Sequence, residues 1–256
     1  MSVLKVAGVQ MDVAWEDRGA NFEKVRKLGL RARDEGAGLL VLPEMFATGF
    51  SLNPAVTAEE PKGETPTFIG ELARELGLAV VGGYVQKRRQ GRGANVALAV
   101  DGRGAVLAEY AKTHLFSFMD EHLVHEAGAG PRSFTLDGVE ITCFICYDLR
   151  FPELFRLVAA ETRLVLVIAS WPAARQRHWD LLLPARAVEN QLYVVGVNRV
   201  GRGGGLDFAG GSAAYDPLGR QLSHAADAEG LILAEVDPAA VVDVRVAMPF
   251  LRDRRF

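Results

Sequence analysis

The segment Val139–Glu153, V-E-I-T-C-F-I-C-Y-D-L-R-F-P-E, decides how the rest of the chain is read. Val139, Ile141, Cys143 and Ile145 alternate with Glu140, Thr142 and Phe144, which is the period of a strand. The alternation stops at Cys146. Tyr147, Asp148 and Arg150 form a polar turn, and Pro152 suits the first turn of a helix. Leu154, Leu157 and Val158 recur behind it at helical spacing. A thiol at this junction is expected to face outward at the sheet edge. There it feels the positive end of the following helix, which favours the thiolate. Such a junction is the local design of a nucleophile on a tight strand-to-helix turn.

The same pattern of a strand that breaks at a reactive residue recurs upstream. Leu39–Leu42 is wholly apolar, as a strand buried on both faces of a helix-covered sheet is. It stops at Pro43, and Glu44 follows. Ala94–Val100 and Ala105–Tyr110 pair across Asp101-Gly102, a strong hairpin signal, and Lys112 lies just past the second strand. Val3–Gln10, Leu78–Val85, Leu164–Ala169 and Tyr193–Asn198 read as further strands. Gly210–Tyr215 and Leu231–Val236 do so too, flanking the turn Asp216-Pro217-Leu218-Gly219. Asn21–Asp34 and Ala173–Asn190 read as helices, as does the stretch capped by Thr65-Pro66 and ended by Gly77. Gln86–Gly93 is a basic hairpin turn, Phe116–Pro131 a long irregular segment, and Gly201–Gly205 a flexible turn. No linker or repeat divides the chain. Residues 1–256 are expected to form a single α/β domain with mixed sheets covered by helices.

Composition narrows the function classes. The net charge of −3 implies no polyanion partner, so nucleic acid is not expected. The longest apolar run, Leu164–Ala169, is far too short for a membrane span. Met1–Lys5 leads straight into a strand without a signal-peptide pattern, and two cysteines make no disulfide framework. A cytoplasmic, reducing location is therefore expected. The five histidines are scattered without metal-ligand spacing, so neither a metal nor an organic cofactor is expected.

Glu44, Lys112 and Cys146 each fall one or two residues beyond a strand, where side chains converge on one sheet edge. Singly, each has a plainer explanation as a turn residue, a surface charge or an inert core thiol. Together they form a set that can run acyl transfer: a thiolate to attack a carbonyl, an ammonium for the oxyanion and a carboxylate to move protons. Cys143 and Cys146 also spell C-x-x-C, but strand positions three apart point to opposite faces. Cys143 is therefore assigned to the core. No G-x-S-x-G occurs, and Gly201–Gly205 lacks the Lys-Ser/Thr of a phosphate loop.

On these residues the chain resembles the nitrilase superfamily of carbon–nitrogen hydrolases, nearly end to end. Leu42-Pro43-Glu44-Met45-Phe46 is similar to the family's glutamate motif, and Lys112-Thr113-His114-Leu115-Phe116 to its lysine motif. Cys146 through Glu153 is similar to its cysteine motif. Arg186-Ala187-Val188-Glu189-Asn190, Gly211-Ser212 and Asp216-Pro217-Leu218-Gly219 are similar to further signatures. The resemblance implies a four-layer αββα sandwich with two mixed β-sheets and a catalytic triad of Glu44, Lys112 and Cys146. It also implies a second glutamate in the loop after the lysine, placed at Glu121 with Glu126 as the alternative. A homodimer or higher homo-oligomer is implied as well.

Met45–Ser51, Phe116–His122 and Phe250–Asp253 look most like the omega-amidase branch. That implies a small-molecule amide substrate: the monoamide of a 2-oxo dicarboxylic acid, 2-oxoglutaramate or 2-oxosuccinamate. Ser170 departs from an Asn found in many relatives. The backbone N–H of Tyr147 is then the second oxyanion donor. Arg175, Arg177 and Arg150 are the candidates for the substrate's far carboxylate, with Phe116 and Trp171 lining the pocket. The plainer role for Arg150 is to hold the turn through a carboxylate. N-carbamoyl amidase, aliphatic amidase and nitrilase activities share the triad and remain alternatives, as does a thiol-redox or non-catalytic binding protein.

Overall fold

The computed structural model describes residues 3–255; Met1, Ser2 and Phe256, which end the Met1–Lys5 and Pro249–Phe256 stretches, lie outside them. Among the described residues, two mixed sheets stack face to face between layers of helix. The first sheet runs Gly230–Val236, Leu4–Gln10, Leu39–Val41, Ala79–Lys87, Gly93–Val100, Val106–Ala111, with the short Ala58–Glu59 strand beside Ala79–Lys87. The second runs Gln221–His224, Ala213–Tyr215, Tyr193–Asn198, Leu164–Ala169, Val139–Ile145, Ser133–Leu136.

Strand parity decides which side chain enters which core. Leu4, Val6, Leu39, Val41 and Val81 join the core shared with the second sheet. Their neighbours Ala7, Val9, Leu40 and Val80 face the other way, onto Phe22, Val25, Phe68 and Leu72. Those partners belong to the helices Arg18–Asp34 and Glu64–Leu76. On the far side, Phe155, Trp179 and Leu183 from the helices Pro152–Val158 and Gln176–Asn190 cover the second sheet. This is the helix–sheet–sheet–helix sandwich expected from the resemblance.

Strand direction positions the site. Leu39–Val41 is parallel to both its neighbours. Val139–Ile145, Leu164–Ala169 and Tyr193–Asn198 are mutually parallel. Val106–Ala111 is two antiparallel steps from Ala79–Lys87, so it points the same way as Leu39–Val41. The residues after Val41, Ala111, Ile145, Ala169 and Asn198 therefore leave their sheets at carboxyl ends that meet.

Several local expectations need correction. The first helix begins at Arg18, not Asn21, because Asp17 caps it by accepting from Ala20 N. Thr65-Pro66 is not a cap: the helix begins at Glu64, and Glu59, at the end of the short Ala58–Glu59 strand, caps it. Its carboxylate accepts Thr65 N at 2.7 Å and Thr65 Oγ1 at 2.5 Å. Gly201–Gly205 is not a loop. Val200–Gly203 pairs with Leu206–Ala209, and only Gly204-Gly205 turns, over the Trp15 ring. Phe116–Pro131 holds a 3-10 turn, Ser117–Met119, and a one-turn helix, Glu121–Val124. The strand after the Asp216–Gly219 turn is Gln221–His224, whereas Gly230–Val236 crosses to the first sheet. The helix Pro238–Ala247, capped by Asp237, was not anticipated. No helix among the described residues is long and apolar enough to cross a membrane.

Candidate active site

Two strand ends bend sharply in the left-handed region to present their side chains. Met45 has φ 47° and Cys146 has φ 47°. Conformations of this kind cost of order 1–3 kcal/mol for a residue with a side chain and persist where surrounding structure enforces them. The turn at Glu44 rests directly on the neighbouring strand at Gly83. A Cβ there would lie 2.7 Å from Met45 N and 2.8 Å from Glu44 Cα, so no other residue fits. The turn at Cys146 is held by Asp148. Its buried carboxylate accepts from Ile145 N (3.1 Å), Tyr110 Oη (2.8 Å) and His114 N (2.9 Å), and contacts His114 Nδ1 at 3.0 Å. One side chain thus ties the Cys146 turn to the Lys112 segment.

The structure brings Glu44, Lys112, Glu121 and Cys146 together. The side chains of Glu44, Lys112 and Glu121 have no solvent exposure. Lys112 Nζ lies 3.0 Å from Glu44 Oε1 and 2.9 Å from Glu121 Oε2. Asn95 Nδ2 bridges the two carboxylates at 2.8 and 3.0 Å. Glu121 Oε2 also accepts Phe116 N at 2.6 Å. Glu44 Oε2 accepts Ser170 N at 2.8 Å, which links the first sheet to the second. Glu126 contributes its backbone N–H to Gly93 O and takes no part in the cluster, so the glutamate beside Lys112 is Glu121.

The electrostatics follow from that packing. Burial works against the Lys112 ammonium, but Glu121 and Glu44 outweigh it and hold its pKa well above the usual lysine value. Burial likewise works against ionised Glu121, yet Lys112, His125 and Asn95 hold its pKa down to about 2. Two of the three ammonium protons are directed to carboxylates, and Lys112 also lines the pocket, leaving one donor for a bound group.

The thiolate expectation for Cys146 fails. Burial pushes its pKa well up, and the nearby Glu44 carboxylate pushes it further. The helix that was to supply a positive end begins only at Pro152, beyond a 3-10 turn over Cys146–Arg150. In the free protein, iodoacetamide is therefore expected to alkylate Cys146 at pH 7 more slowly than an unstructured cysteine, with the rate still rising through pH 9. Fast labelling at pH 7 that levels off below pH 8 would contradict this placement of the proton. Cys143 lies in the core with its Sγ 3.7 Å from Phe144 O, away from the pocket.

A narrow pocket opens onto Cys146 and Lys112. Phe50, Phe116, Met119, Trp171 and Leu206 give it apolar walls, and Arg150 and Arg175 charge its mouth. The Arg150 guanidinium lies 4.7 Å over Trp171, 5.9 Å from the Tyr147 ring and 3.1 Å from His178 Nδ1, rather than on a carboxylate. Arg175 lies 5.2 Å over Phe116. Arg177 is exposed and does not line the pocket. Leu149 O in the turn is held instead by Arg186, at 2.8 and 3.1 Å.

Sequence reasoning missed Asn95, His125 and Asn198. Asn198 Oδ1 accepts Trp171 N at 2.8 Å and fixes the pocket wall. Asn95 and Asn198 are lone polar residues in apolar strands, a signal that was available. Buried polar groups require partners, and these partners are the site.

Comparison with known proteins agrees with this geometry. The family model described as carbon-nitrogen hydrolase matches residues 5–246. The chain is 36% identical to the 2-oxoglutaramate amidase of Bacillus subtilis, over 98% of this chain and 97% of that protein. It is also 36% identical to omega-amidase YafV of Escherichia coli, over 100% of this chain and 94% of that protein. A crystal structure from Xanthomonas campestris, a CN-hydrolase superfamily protein with an arsenic adduct in its active site, superposes with a TM-score of 0.93. It is 34% identical, and the match covers 100% of this chain and 98% of that one. The chain belongs to the carbon-nitrogen hydrolase family, within the nitrilase superfamily, and is an enzyme that acts on carbon–nitrogen bonds.

Proposed function

We propose that the protein hydrolyses the terminal amide of small 2-oxo dicarboxylic acid monoamides, 2-oxoglutaramate and 2-oxosuccinamate, through a thioester on Cys146. The observation that carries this is the fully buried Glu44–Lys112–Glu121 cluster against a thiol at the floor of a small pocket with two guanidiniums at its mouth.

Glu44 takes the thiol proton as Sγ attacks the amide carbon. The oxyanion is held by the remaining Lys112 donor and the backbone N–H of Tyr147. As the C–N bond breaks, Glu44 returns the proton to the departing ammonia. Glu44 then deprotonates a water molecule that attacks the thioester. The C–S bond breaks, the acid leaves and the thiol is restored. Because the thiol rests protonated, its deprotonation belongs to the attack itself, and Glu44 is placed to couple the two. Glu121 keeps Lys112 ionised and oriented.

The far carboxylate of such a substrate requires a cation, and Arg175 and Arg150 supply it. The names of the Bacillus subtilis and Escherichia coli relatives support the same substrate class. Ammonia release is expected to be fastest with 2-oxoglutaramate, and slower with an N-carbamoyl amino acid, a simple aliphatic amide and an aliphatic nitrile. Arg175→Met is expected to raise KM for 2-oxoglutaramate by roughly 10- to 100-fold, the value of a charge-assisted hydrogen bond. It should leave KM for a simple aliphatic amide within about threefold. A parent protein that prefers the N-carbamoyl substrate, or an Arg175→Met variant that affects both amides equally, would refute the assignment.

A further inference from the structure

Glu121 has a set of partners, and all but one follow from the chemistry or from its own loop. Lys112 and Asn95 belong to the reacting cluster, and Phe116 N belongs to the adjoining turn. The remaining partner is His125, whose buried ring places Nδ1 3.4 Å from Glu121 Oε1. Its Nε2 is also buried and has no hydrogen-bond partner among the described residues.

The ring is fixed from both sides. Its backbone N–H closes onto Glu121 O at 2.8 Å, and Glu126 N binds Gly93 O at 2.8 Å. The Arg92 guanidinium holds the His125 carbonyl. The imidazole fills the space beside Gly93, where a Cβ would lie 3.0 Å from His125 Cδ2. The charged groups facing this arrangement are Glu121, then Lys112 and Glu44 behind it, with Arg92 at the carbonyl. A proton on Nε2 would bury an N–H against no acceptor, and an imidazolium would compete with Lys112 for Glu121.

We propose that His125 is a positioning residue: as the neutral Nδ1–H tautomer it fixes the Glu121 carboxylate on Lys112, and so directs the free Lys112 proton into the pocket. This rests on the acyl-transfer role given to Lys112. His125 donates one hydrogen bond without adding charge, so Glu121 remains the full counter-ion of the ammonium.

The test compares His125→Phe, which keeps a ring but removes the donor, with His125→Asn, which restores a short donor. His125→Phe is expected to lower kcat for 2-oxoglutaramate by roughly 10- to 100-fold, with KM within about threefold. The acid limb of its kcat–pH profile should move up by about one pH unit, because Glu121 loses a donor to its charged form. His125→Asn should regain about tenfold in kcat and return the acid limb toward the parent. A His125→Phe variant within twofold of the parent, with an unchanged profile, would overturn the proposal. Nitrogen-15 NMR of imidazole-labelled parent protein decides the matter independently of variant folding. It should show a protonated Nδ1 and a bare Nε2 at pH 7, and an imidazolium or an Nε2–H tautomer would overturn the proposal. If the parent releases no ammonia from any amide, the reaction assigned to the site fails, while the NMR result still stands or falls alone.

Discussion

Cys146→Ala is expected to lower kcat for 2-oxoglutaramate by at least about four orders of magnitude, the scale seen when a covalent nucleophile is removed. Cys143→Ala is expected to retain most of the parent activity. Both thiols are buried, but only Cys146 opens onto the pocket, near the Glu44 carboxylate. Cys143 packs within the core, where truncation leaves a small cavity and costs about 1 kcal/mol or somewhat more in stability. Steady-state ammonia release measures the first effect and urea unfolding the second. A thioester trapped by acid quench should add the acyl mass to the parent and to Cys143→Ala, and not to Cys146→Ala. Retained turnover in Cys146→Ala, or an acyl mass on Cys143, would end the covalent mechanism through Cys146.

Lys112→Met should be the most destabilising single change in the site. It removes the ammonium from between two fully buried carboxylates and leaves both without a counter-ion. Breaking one side of a buried ion pair typically costs about 3–5 kcal/mol. Turnover should fall by a further two to three orders of magnitude, roughly the value of one oxyanion donor. The stability loss carries a pH signature. In the parent, Glu121 titrates at about 2, below its ordinary 4.5. Its stabilising contribution is therefore present above pH 4.5 and lost as pH falls toward 2. In Lys112→Met the sign reverses, because a buried carboxylate without a cation has its pKa raised, and ionising it opposes folding as pH rises. The urea-unfolding gap between parent and variant should thus be wider at pH 8 than at pH 4. An equal gap at both values would show that the lysine contributes packing alone.

The readable parts of the chain are those whose cause is local. Leu39–Leu42, Val139–Ile145 and Leu164–Ala169 read as strands because burial on both faces, or on one, leaves a period in the sequence itself. Glu44, Lys112 and Cys146 stood out because each directly follows such a strand. What stayed hidden is caused across the fold. Asn95 has its role because the register of its strand sets it between Glu44 and Glu121. The cap of Glu64–Leu76 comes from Glu59, which ends a two-residue strand and leaves no helix-start pattern in the sequence. Val200–Gly203 pairs as a strand with Leu206–Ala209, and Asp12 packs against Gly201 and Arg199 and Trp15 against Gly203, although its glycines alone predict a turn. The state of the Cys146 thiol was also misjudged. The nearby helix was weighed for its charge, whereas Glu44 was read as a proton carrier and not as a charge that opposes the thiolate.

The pairing of Gly230–Val236 with Leu4–Gln10 has a consequence for biosynthesis. Ribosomes deliver Glu44, Lys112, Glu121 and Cys146 long before the strand that completes the first sheet. Until residue 236 has cleared the exit tunnel, one edge of Leu4–Gln10 offers its main chain to any passing strand. Its partner is among the most distant in sequence, so closing the pair carries a high loop entropy and belongs among the slow steps of folding. The nascent chain is consequently exposed to aggregation while its reactive residues are made but the first sheet still lacks Gly230–Val236.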